Sequence, residues 1–74
     1  MTEPSVKPEK RSFNIAGHRT SISLELPFWD ALRELAVRDG ISMAQLVGRI
    51  DQARGRTNLS SAVRVHILAQ FRSL

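Results

Sequence analysis

The spacing of apolar positions changes along the chain, and each spacing predicts a different element. Residues 1–9, MTEPSVKPE, hold two prolines, charged side chains and a single valine, too little apolar surface to offset the entropy of ordering. They are expected to form a tail. From Lys10 the pattern alternates: Phe13 and Ile15 with Ser12 and Asn14, then Thr20, Ile22, Leu24 and Leu26 with Ser21, Ser23 and Glu25. A period of two predicts strand, with Ile22, Leu24 and Leu26 on one side and Ser21, Ser23 and Glu25 on the other. Gly17 can take a positive φ between the two runs, so a hairpin and a single strand both fit the pattern, the second run being the stronger.

Pro27 then suits a first helical turn, and Phe28, Ala31, Leu32, Leu35 and Ala36 recur at helical spacing. Asp30 lies near the positive end of this helix, and Gly40 can close it in the left-handed conformation. Ser42 and Gln45 have capping-box spacing, which predicts a second helix from Ser42 with Met43, Leu46, Val47 and Ile50 as its apolar stripe. Gly55 breaks that run, and residues 51–57 are expected to link to a third helix capped by Thr57 or Asn58. In it Leu59, Ala62, Val63, Ile67 and Phe71 line one side, while Val65 and Leu68 widen the apolar surface, as in a helix packed on two neighbours.

With 74 residues the chain has room for one domain, placed at 10–74, and a domain of this size buries only roughly 60% of its unfolded surface. There is no cysteine, so neither disulfides nor a thiolate metal site can reinforce it. A second copy is the remaining common remedy, and it would also pair the exposed strand edges. Eleven Lys and Arg against seven Asp and Glu give a net charge of +4, and residues 52–74 carry Arg54, Arg56, Arg64 and Arg72 with no acid. Such a surface favours a polyanion, nucleic acid before an anionic membrane, because neutralised phosphates release counterions. No apolar run approaches the roughly 20 residues that span a bilayer, and no signal-peptide pattern opens the chain. No membrane partner and a cytoplasmic location are expected.

The order of strand, Pro27, helix, Gly40 turn and Ser42-capped helix in TSISLELPFWDALRELAVRDGISMAQLVGRI resembles the ribbon-helix-helix superfamily of DNA-binding proteins. HRTSISLELPFWDAL together with NLSSAVRVHIL is similar to a bacterial subfamily with an extra C-terminal helix. The resemblance implies a mainly α fold with a short strand or hairpin, the strand pairing antiparallel across a two-fold homodimer, and a third, C-terminal helix. It implies a dimer core of Ile22, Leu24, Leu26, Leu46, Val47 and Ile50. It also implies a function: a transcriptional regulator of repressor type that lays its ribbon in the major groove of double-stranded DNA. Arg19, Ser21, Ser23 and Glu25 would then face base edges. The helix start at Ser42 and Met43 would hold a phosphate, and Lys10 and Arg11 in the basic arm would add phosphate contacts.

The alternative is a dimeric protein-interaction module, including an antitoxin-like one, with a protein partner at the C-terminal helix. The charge over the ribbon separates the two: a positive face favours DNA, and a face left negative by Glu25 favours protein. Trp29 reads as a packing residue, and Arg54 and Arg56 as further candidates for phosphate contact. His18 and His66 lie far apart with no ligand cluster around them, so no metal is expected. Ser60 and Ser61 stand at a helix start, where serine caps, and have no neighbouring base to activate them. No catalysis and no cofactor are expected.

Overall fold

Ala16 and Gly17 both have positive φ, 51° and 80°, and reverse the chain in a two-residue turn of the mirror-image type that matches strand twist. On either side run β1 (Glu9–Ile15) and β2 (His18–Leu24), paired antiparallel from Ile15 opposite His18 to Glu9 opposite Leu24. The computed structural model describes residues 7–73. Most of the expected tail, residues 1–6, therefore lies outside the described residues, and β1 takes in its last residue, Glu9. Of the two alternatives left by the alternation, the hairpin is the one realised.

Three helices follow, α1 (Leu26–Asp39), α2 (Met43–Ala53) and α3 (Leu59–Arg72). Gly40, at φ 68°, caps α1 with its N–H on the last-turn carbonyls. Ser42 caps α2 in a complete capping box: its Oγ accepts from the Gln45 N–H, and Gln45 Oε1 accepts from the Ser42 N–H. Asn58, rather than Thr57, caps α3 by accepting from the Ser61 N–H. The link between α2 and α3 is shorter than expected, because α2 continues to Ala53.

A lone hairpin is marginal in water, so its inner side must be covered. The helix α2 packs under β1 and α3 under β2, with α1 touching both helices. Ile15, Ile22 and Leu24 close this core with Trp29, Leu32, Leu35, Ala36, Leu46, Val47, Ile50, Leu59, Val63 and Ile67. Each fully buried aliphatic side chain here contributes about 1.5–3 kcal/mol relative to exposure. Trp29 fastens the start of the chain: its Nε1–H donates to the Glu9 carbonyl at 2.9 Å, the Phe13 ring lies 5.9 Å from its own, and Arg11 stacks 4.7 Å above it.

Within the single chain, β2 is paired along one edge with β1. Of the six residues assigned to a dimer core, Ile22, Leu24, Leu46, Val47 and Ile50 are buried within the single chain, whereas Leu26 is 52% exposed. The physical reason is that β2 ends at Leu24 and the chain turns into α1, so the alternation that carried Leu26 inward stops before reaching it.

Candidate nucleic-acid interface

Directly opposed residues of an antiparallel pair share a face. The register therefore puts Lys10 with Ser23, Ser12 with Ser21, and Asn14 with Arg19 on the side away from the core. All are exposed except Ser23, which is half-buried. This outer face carries two bases, three hydroxyls and one amide, with no acid and no apolar side chain. Ser12 and Ser21 touch through their hydroxyls at 3.1 Å.

The two acids nearest the ribbon are turned away and neutralised. Glu9 shares the inner side with Arg11 and pairs with it. Glu25 lies beyond the strand, at the N-cap of α1, and its Oε1 accepts from Arg64 Nε at 3.0 Å and Nη2 at 2.9 Å. A bond from its own backbone amide, and then the Arg64 guanidinium, hold its carboxyl below the ordinary carboxylate range, against a smaller opposing desolvation. The structure thus separates Glu25 from Arg19, Ser21 and Ser23, with which the alternation groups it. The alternation could not show that its partner stands 39 residues away.

The edges of the ribbon also differ. At Ser23 the backbone N–H donates to Ser60 Oγ at 3.2 Å and the carbonyl accepts from Arg64 Nη2 at 3.2 Å. The α3 helix therefore closes the β2 edge at its α1 end. In an antiparallel ladder the backbone direction alternates, so Lys10, Ser12 and Asn14 of β1 direct their N–H and C=O groups to the opposite edge.

At the start of α2 the Ser42 N–H, assigned to a phosphate from the sequence, is occupied by Gln45. The N–H groups of Met43 and Ala44 are the first-turn donors left without a helical acceptor. Of the arm, Lys10 is on the outer face, whereas Arg11 is engaged inward by Glu9 and Trp29. Arg54 braces the α2–α3 turn through Asp51 and the Thr57 carbonyl, while Arg56 is exposed. His66 is half-buried beside α2, and desolvation lowers its pKa against the raising effect of Asp39. Ser12 and Asn14, absent from the candidates drawn from the sequence, become outer-face residues once the turn is fixed at Ala16–Gly17.

A polar, basic two-stranded ribbon backed by helices defines the class to which such a fold and surface belong. The ribbon-helix-helix domain model matches residues 8–71, and the chain belongs to that family, which is of DNA-binding or regulatory type and generally non-enzymatic. The chain is also similar to the solved structure of an uncharacterized protein from Bordetella pertussis Tohama I. The two are 38% identical, with a TM-score of 0.73 over 92% of this chain and 58% of that one. The chain thus spans less than two thirds of the length of that protein. No curated protein matches it. Among the described residues no helix is long and apolar enough to cross a membrane.

Proposed function

We propose that the chain is a homodimeric, sequence-reading DNA-binding protein that works as a transcriptional regulator, with the outer face of its hairpin against the major groove. The observation that carries this reading is the acid-free outer face: Lys10, Ser12, Asn14, Arg19, Ser21 and Ser23 are all polar or basic, and Glu25 is withdrawn onto Arg64. A two-stranded ribbon fits a groove about 12 Å wide, and Arg and Asn are the side chains that read guanine and adenine edges in two-pronged fashion. Serine adds weaker contacts, and Lys10 supplies phosphate attraction. The start of α2, where the Met43 and Ala44 N–H groups have no helical acceptor, suits a backbone phosphate. Selection of binders from a randomised duplex pool tests this reading. An enriched sequence that is lost with Asn14→Ala and Arg19→Ala supports it, and a pool that stays random contradicts sequence reading.

One observation favours a second reading. Val65, Leu68 and Phe71 of α3 are 64%, 54% and 44% exposed, an apolar strip of the kind that marks a protein contact. On this reading α3 binds a protein partner. Replacing Val65 and Leu68 by Ser removes that partner without altering DNA affinity, and a variant that loses DNA affinity while still folded contradicts it.

A further inference from the structure

We infer that Arg64 of α3 is a positioning residue for the DNA surface: it acts through Glu25, by holding and neutralising a carboxylate that would otherwise stand among the phosphates at the margin of the ribbon. The inference rests on the reading of the outer face as the DNA surface, and adds to it a residue that itself contacts no DNA.

Glu25 stands where a free acid does harm. It follows Ser23 by two residues at the junction of β2 and α1, and Ser23 lies on the outer face opposite Lys10. Phosphates line both walls of a major groove, so a carboxylate at the margin of a ribbon lying there meets like charge. Helix capping does not account for the side chain. The Glu25 carbonyl accepts from the Phe28 and Trp29 N–H groups and so starts α1, but the carboxylate makes no bond to that helix. Its hydrogen-bond partner among the described residues is Arg64.

The guanidinium is held in place on three sides. Its Nε and Nη2 both donate to Glu25 Oε1, at 3.0 and 2.9 Å, and Nη2 also donates to the Ser23 carbonyl at 3.2 Å. Its central carbon lies 5.7 Å from the centroid of the Phe28 ring. One nitrogen thus joins the carboxylate to the end of β2, which keeps Glu25 from swinging towards Lys10. The two side chains are 31% and 26% exposed, so salt screens this pair less than one lying in open solvent. With Arg64 removed, no described contact holds the carboxylate, and Lys10 becomes a base that it can take from the phosphates.

Anisotropy of labelled genomic duplexes at about 50 mM salt tests this on the full chain, where surface electrostatics are strong. Arg64→Met is expected to bind about tenfold more weakly than the parent, because it frees an acid beside phosphates. Arg72→Met, which removes the same charge from an exposed position on the same helix, should stay within about twofold. Glu25→Gln alone should also stay within about twofold, because the charge it removes is already neutralised. In the Arg64→Met background, however, Glu25→Gln should restore affinity to within about twofold of the parent, and the loss in Arg64→Met itself should shrink at about 0.5 M salt.

A double variant as weak as Arg64→Met overturns the inference, because Arg64 then acts by touching DNA or by holding the shape of the site. Equal gains from Glu25→Gln in both backgrounds overturn it too, since net charge alone would explain them. Circular dichroism and urea midpoints check folding. If Arg64→Met does not fold, Glu25→Gln decides: unchanged affinity supports a neutralised carboxylate, and tightening of about tenfold overturns it. A parent without affinity for DNA removes the DNA reading and this inference together, whereas a parent that binds, with every variant equal to it, overturns this inference alone.

Discussion

The two faces of one hairpin are made from alternate residues of the same two strands, yet they answer to different demands. The inner face holds Ile15, Ile22 and Leu24, buried against three helices, and its only charged members, Glu9 and Arg11, neutralise each other beside Trp29. The outer face holds no side chain of the buried core. A period of two thus separates the side chains that the core uses from those that it does not: each exposed outer-face side chain can change without a cavity, and the buried Ile15, Ile22 and Leu24 cannot. The Glu25–Arg64 pair stands at the boundary, holding β2, α1 and α3 together while keeping an acid off the outer face.

Substitutions that keep to one face sharpen this division. The largest effect is expected from Ile22→Ala, which opens a cavity in a fully buried position and costs about 2–5 kcal/mol, read as a lower midpoint in urea unfolding. Removing Lys10 and Arg19 together should leave that midpoint within about 0.5 kcal/mol of the parent and reduce the salt slope of DNA binding by about one per lost phosphate contact. A marked loss of stability in that double variant would break the division between the faces. Ala16→Asn is smaller and of opposite sign: it places a residue tolerant of positive φ in the turn and should stabilise the hairpin by about 0.5–1 kcal/mol.

The weakest effects follow pH. Glu25 has a lowered pKa when folded, so its stabilisation is complete at neutral pH and is lost as pH falls through that lowered value. Thermal melts of the parent and Glu25→Gln should therefore differ at pH 7 and converge in acid. A gap that persists in acid would show that the loss comes from shape rather than charge. For His66 the folded pKa is also lowered, and here the neutral form is the favoured one. Stability should fall as pH drops through the ordinary histidine range towards that lower value, and His66→Gln should flatten this slope.

The helical half was legible because its signals are local. Pro27, Gly40 and the Ser42–Gln45 box each mark a boundary through residues at most three apart, and the structure places those boundaries within a residue or two. The hairpin was half legible. Gly17 announced a turn, but Ala16 at positive φ carries no such signal, so the register that groups Asn14 with Arg19 could not be fixed. Least legible were contacts between distant residues. Nothing near Glu25 or Ser23 points to Arg64 or Ser60, and nothing near Glu9 points to Trp29, because these pairs exist only once α3 and α1 have packed. The same gap explains why the alternation groups Glu25 with Arg19, Ser21 and Ser23 and leaves out Ser12 and Asn14.

The central claim, that the outer face of the hairpin is the surface that holds DNA, is tested most directly by fluorescence anisotropy of labelled genomic duplexes titrated with the parent chain and with the Lys10→Ala, Asn14→Ala, Arg19→Ala triple variant. Several salt concentrations are needed, with folding checked on each sample. The account predicts binding by the parent that weakens steeply with salt, and at least a hundredfold weaker binding by an equally folded variant, about 2.8 kcal/mol in affinity. Equal affinity of the two folded proteins, or no binding by the parent at low salt, would contradict it.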